Sequence, residues 1–115
     1  MTTFYHGTDG ELVLHSGICL TRHQSSAEAY GSNVYAIEID TDGLRVDRIY
    51  IDGEELRQRI DDQEWPADRD DERLAMIVEG IDAIEYDDVD QDGDLHHTLR
   101  LLSYRAISAC VVSAV

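Results

Sequence analysis

Four short segments, each closed by a small or turn-forming residue, follow one another in the N-terminal third of the chain. They are Phe4-Tyr5-His6-Gly7-Thr8, Gly17-Ile18-Cys19-Leu20-Thr21, Ala27-Glu28-Ala29-Tyr30-Gly31 and Val34-Tyr35-Ala36-Ile37-Glu38-Ile39-Asp40. Segments this short, punctuated this often, leave no room for long amphipathic helices. Three of them carry the β-branched and aromatic residues that pack well on a pleated surface. A chain that begins this way commits its N-terminal third to short strands, one short helix and tight connections.

The rest of the pattern is read from periodicity. Thr2 to His6 predicts a strand ending at Gly7, Glu11 to Leu14 a short strand or turn, and Gly17 to Thr21 a second strand. Ser25 to Tyr30 predicts a short helix, with Ser25 or Ser26 as its cap and Gly31 at its end. Val34 to Ile39 predicts a strand with Glu38 and Asp40 facing outward, and Asp42-Gly43 a turn. Leu44, Val46, Ile49 and Ile51 suggest a further strand. Gly53 to Asp62 predicts a helix carrying Leu56 and Ile60, broken at Trp65-Pro66. Asp68 to Glu79 predicts another, with Leu74, Ile77 and Val78 on one face and Gly80 past its end. Ile81 to Tyr86 reads as a strand, Asp87 to Asp94 as an acidic loop, and Leu95 to Leu102 and Ala106 to Val115 as closing strands. Strands at both ends with helices between them make an α+β fold, a single domain over residues 1–115.

Composition narrows the function classes. The chain has 115 residues, enough for one core and too few for two. No apolar run approaches the roughly 18 residues that a membrane span needs. The N-terminus has no basic patch followed by an apolar stretch, so a cytoplasmic protein is expected. Cys19 and Cys110 sit in apolar contexts and read as buried free thiols.

Acidic residues number 25 against nine basic ones, all arginine, for a net charge of −16. Such a surface repels phosphate backbones, which argues against direct nucleic-acid binding. Three explanations stand beside one another: solubility, life in high salt where self-repulsion is screened, and an acidic face that imitates nucleic acid and docks on a basic protein.

Few residues can do chemistry. The chain has no P-loop, no dinucleotide glycine fingerprint, no Cys-X-X-Cys pair and no nucleophile elbow. His96 and His97 are adjacent and would point to opposite faces of a strand, so no metal site is expected from them. There remain His6, the tyrosines and the carboxylates that follow the Ile81 strand.

In that order, Tyr5-His6-Gly7-Thr8, Ile18-Cys19-Leu20-Thr21, Ala27-Glu28-Ala29-Tyr30-Gly31, Val34 to Asp40, and Gly80-Ile81-Asp82-Ala83-Ile84-Glu85-Tyr86-Asp87-Asp88 resemble small ADP-ribosyltransferase-fold proteins. The likeness is to the NAD-using branch with a His-Tyr-Glu set, whose compact members occur in bacteria and phages and include an anti-CRISPR ADP-ribosyltransferase. The resemblance implies a split β-sheet core with a few short helices. It implies that His6 holds a ribose hydroxyl of NAD and that Gly7 pairs with the nicotinamide carboxamide. It implies that Tyr30, or alternatively Tyr35, stacks on the nicotinamide ring, and that Thr8 and Thr21 lie near the ribose. Arg22 is the candidate for the diphosphate. For the acid that steadies the cationic sugar, Asp88 aligns best, with Glu85 and Asp87 as alternates.

The chain departs from that family pattern after Asp88, where Val89-Asp90-Gln91-Asp92-Gly93-Asp94 crowds acids together. Acids crowded in this way are expected to oppose a bound diphosphate. Two function classes follow. One is a mono-ADP-ribosyltransferase that takes NAD as substrate and modifies a protein, such as a phage effector acting on a CRISPR complex. The other is a non-catalytic acidic protein of the same fold that occupies the nucleic-acid site of a basic complex.

Overall fold

The computed structural model describes residues 1–49, 70–89 and 95–115. Strand alternation builds its centre. β1 (Thr2–Thr8) pairs antiparallel with β3 (Asn33–Ile39) from Thr2–Ile39 to Thr8–Asn33. Phe4, Ile37 and Ile39 are buried on one face, while Thr3 and Glu38 point to solvent. β2 (Cys19–Thr21) joins β1 on its other side through the Tyr5–Thr21 register pair, and pairs along its length with β6 (Leu95–Leu101).

β5 (Ala83–Val89) runs antiparallel to β6, and β4 (Val46–Arg48) lies parallel to β5. β7 (Val111–Ala114) pairs with β3 at the far edge. The seven strands form one mixed sheet in the order β4-β5-β6-β2-β1-β3-β7. With the short helices α1 (Gln24–Glu28), α2 (Asp70–Val78) and α3 (Tyr104–Ser108), this is an α+β architecture. The parallel β4–β5 pair needs a crossover, and α2 belongs to that connection.

Apolar residues pack on both faces of the sheet. Phe4, Leu20, Ile37, Ile39, Leu99 and Leu101 form the larger cluster, with Ala106 and Ile107 of α3 against it. Ile81, Ile84, Tyr86 and Leu102 form the smaller one, against Met76 and Ile77 of α2. Buried Asp82 ties the second cluster to the chain around it. Its carboxylate accepts from Ser103 Oγ at 2.6 Å and from the Arg45 amide at 2.8 Å. The Ser103 bond, with help from the Arg45 amide and the Arg105 charge, holds this carboxyl below its usual pKa.

Several expectations give way. β1 continues through Gly7 to Thr8, because both residues keep their partners on β3. Glu11–Leu14 forms no regular element. α1 is entered from His23 without a side-chain cap, so neither Ser25 nor Ser26 caps it. On α2, Leu74 and Val78 are exposed and Met76 joins Ile77 as the packing pair. β5 runs past Tyr86 to Val89, where a loop from Asp87 was expected.

Ala106–Val115 is not one strand. Ser103 caps α3 by accepting from the Ala106 amide, and β7 follows. Cys19 is exposed, and only Cys110 is partly buried, with its thiol pushed up by burial. The helix expected over Gly53–Asp62 and its Trp65-Pro66 break lie outside the described residues, as does the end of the acidic tip.

Among the described residues no helix is long and apolar enough to cross a membrane.

Candidate functional site

Where β1 runs beyond its Tyr5–Thr21 pairing with β2, a cleft of about 530 Å³ opens. Register explains its floor. Tyr86 of β5, Thr98 of β6, Thr21 of β2 and Tyr5 of β1 stand in one row across four strands. Paired positions in an antiparallel sheet share a face. Tyr5, Thr21 and Thr98 line the cleft, joined by His96 from β6 and Cys19 from β2.

Its wall is the C-terminal end of β1: His6, Gly7, Thr8 and then Asp9 and Gly10. His6 Nδ1 donates to the Cys19 carbonyl at 2.8 Å, bridging β1 and β2. A carbonyl can only accept, so this bond fixes the proton on Nδ1 and leaves Nε2 as the acceptor of the neutral ring.

Two glycines seat α1 on this wall. A Cβ on Gly7 would stand 1.8 Å from the Ala27 carbonyl oxygen, and one on Gly31 would stand 2.2 Å from the Thr8 carbonyl carbon. Gly7 is thus required by the approach of α1, a reason separate from any ligand. The same approach delivers Tyr30, just past α1, to the cleft. The Tyr30 ring meets the His96 ring edge-on, centroids 6.5 Å apart at 67°.

His96 is buried. Its Nδ1 lies 3.3 Å from Thr98 Oγ1, and its Nε2 has no hydrogen-bond partner among the described residues. Thr21, also buried, accepts from the His23 amide and so helps turn the chain from β2 into α1.

Of the candidate ligand-binding residues, His6, Gly7, Thr8, Thr21 and Tyr30 come together here. Arg22 and Tyr35 do not. The Arg22 guanidinium lies over the Phe4 ring, 5.7 Å from its centroid. Tyr35 lines a separate groove with Leu12, Leu14 and Val112.

The acids divide by strand alternation. Glu85 Oε2 lies 3.0 Å from His97 Nε2, and Asp87 is 2.9 Å from the Arg48 guanidinium. His97 stacks on Phe4, so this is the side of the larger core cluster. Neither carboxylate lines the cleft. Asp88 takes the alternate register: its backbone pairs with His96, next to the Tyr86–Thr98 pair that belongs to the cleft row.

Sequence reasoning missed Tyr5, Asp9, Cys19, His96 and Thr98 as cleft residues. The polar set His96, Thr98, Arg100, alternating with apolar Leu99 and Leu101, was the available signal. No group of three or more His, Cys, Asp or Glu able to hold a metal ion occurs among the described residues.

No protein-family model matches the chain, and no curated protein does. A solved structure does match, titled as the crystal structure of an anti-CRISPR protein. The two share a fold. The TM-score is 0.52 at 17% identity, and the match covers 99% of this chain and 95% of the other. The likeness therefore spans both chains nearly end to end and concerns backbone architecture.

Proposed function

We propose that the protein is a mono-ADP-ribosyltransferase of phage origin that uses NAD to modify a protein of a CRISPR complex. The observation that carries this reading is the convergence of His6, Gly7, Thr8, Thr21 and Tyr30 on one cleft, in a chain that shares its fold with an anti-CRISPR protein. The cleft volume, about 530 Å³, is within the range of small-molecule sites. A flat ring beside Tyr30 and a ribose hydroxyl donating to His6 Nε2 fit its chemistry.

In the reaction the bond between nicotinamide nitrogen and ribose C1′ breaks, and its electron pair neutralises the pyridinium. The ribose passes through an oxocarbenium-like state. A nucleophilic side chain of the target attacks C1′ and gives its proton to a carboxylate. The protein's part is to hold the ribose at His6, to confine the ring at Tyr30, and to present that carboxylate. Asp88 is the assigned acid, because its register partner is the cleft residue His96, whereas Glu85 and Asp87 are engaged with His97 and Arg48.

A second reading keeps the fold and drops the chemistry: the −16 charge docks the protein on a basic nucleic-acid-binding complex.

Incubation with labelled NAD and host lysate separates the two. Transferase activity puts label on a protein, and Asp88→Ala abolishes it while Glu85→Gln and Asp87→Asn retain it. Absence of label, with salt-sensitive binding to a basic complex, supports the second reading.

A further inference from the structure

We propose that the cleft selects its ligand by charge: it draws its affinity from the cationic nicotinamide-riboside end of the dinucleotide and repels the diphosphate. This rests on the reading above and adds which part of the substrate supplies the binding.

The lining is specific about sign. Among the described lining residues, Asp9 is the only Asp, Glu, Lys or Arg. Its carboxylate is anchored at the cleft mouth, where Oδ1 accepts from the Ser32 amide at 3.4 Å. Tyr5 and Tyr30 bring two aromatic rings to the same space, and the face of such a ring attracts a cation. The arginine nearest in sequence, Arg22, is spent on the Phe4 ring. Behind these local groups stands the field of a chain with net charge −16.

Each of these favours a cation. A pyridinium nucleoside is attracted by the carboxylate and by the ring faces. A diphosphate is opposed by all of them. The dinucleotide carries both, so its two ends are treated oppositely. After transfer or hydrolysis the cation has left as neutral nicotinamide, and any free ADP-ribose is purely anionic. Product therefore leaves a site that no longer holds it.

Salt gives the test a sign. Raising salt from about 0.01 M to about 0.15 M shortens the Debye length from roughly 30 Å to roughly 8 Å. Each kT of potential removed changes affinity roughly threefold per ligand charge. Calorimetry of the intact protein would use nicotinamide riboside, NAD and ADP-ribose as probes at both salts.

The riboside is expected to bind about threefold more weakly at the higher salt, and NAD and ADP-ribose more tightly, ADP-ribose by the larger factor. Asp9→Asn keeps an acceptor for the Ser32 amide. It is expected to weaken the riboside about threefold and to strengthen ADP-ribose by a larger factor, because the diphosphate carries two charges. ADP-ribose binding more tightly than the riboside at low salt, or NAD weakening with salt as the riboside does, would overturn the proposal. If the two nicotinamide ligands fail to bind at either salt, the nicotinamide reading of the cleft falls with it.

Discussion

His6 Nδ1 and the Cys19 carbonyl are joined by a 2.8 Å hydrogen bond that ties β1 to β2 beside their Tyr5–Thr21 register pair. One ring nitrogen serves the fold, and in the proposed function the other accepts from a ribose hydroxyl. The two roles can be separated by substitution. An Asn amide nitrogen falls near the place of Nδ1, and a Gln amide group near that of Nε2. His6→Asn should keep the link to Cys19, unfold within about 0.5 kcal/mol of the parent, and lose NAD affinity. His6→Gln should lose the link and about 0.5–1.5 kcal/mol of stability. Denaturant unfolding and calorimetry on the two variants check this.

The seating of α1 makes a second prediction. Gly7→Ala and Gly31→Ala each drive a methyl into backbone, of Ala27 and Thr8 respectively, and backbone cannot rotate aside. Each should cost about 1–3 kcal/mol. Each should also disturb Tyr30, read as altered NAD affinity in the fraction that folds. Gly10 lies in the same cleft wall with open space around its Cβ position, so Gly10→Ala should change stability little. Thermal unfolding of the three variants distinguishes packing from a general intolerance of change in this segment.

Asp82 gives a prediction in pH. Its folded pKa is lowered, chiefly by the Ser103 hydroxyl, so the folded state favours its ionised form. The stability it contributes is complete above the unfolded-state pKa of about 3.9 and is lost as pH falls through the lower folded value. Asp82→Asn should destabilise the protein at neutral pH. The gap between variant and parent should narrow below about pH 4. Other carboxylates titrate in both proteins, so the difference between the two urea-unfolding curves isolates this group.

How much of this could be read from the sequence follows from how local each signal is. β1 and β3 were legible because Phe4, Ile37 and Ile39 alternate with polar residues, and both strands keep that alternation when paired. α3 was not, because Ala106, Ile107, Ala109 and Cys110 form an apolar run that suits a buried strand as well as a short helix. Its start is marked by Ser103, whose capping bond declares itself only in the folded chain. The continuation of β5 into Asp87 was hidden for a related reason. An acidic run resembles a loop until Arg48 and the strand beside it supply its partners.

The cleft divides in the same way. His6, Gly7, Thr8, Thr21 and Tyr30 were named by the likeness of their segments to a family pattern, and the cleft brings all five together. His96 and Thr98 reach the cleft only through the long-range pairing of β6 with β2. No spacing between residues 21 and 98 announces that contact. Arg22 was assigned by its place after Thr21, but the stagger of adjacent side chains sends it to the Phe4 side. Cys19 was expected inside because its neighbours are apolar, yet it opens β2 at the cleft and stays exposed.

A crystal structure of the protein soaked with NAD addresses the central claim most directly. The account predicts the nicotinamide ring against Tyr30 and a ribose hydroxyl within hydrogen-bond distance of His6 Nε2. NAD bound elsewhere, such as in the groove of Leu12, Leu14 and Tyr35, or a cleft without NAD at saturating concentration, would contradict it.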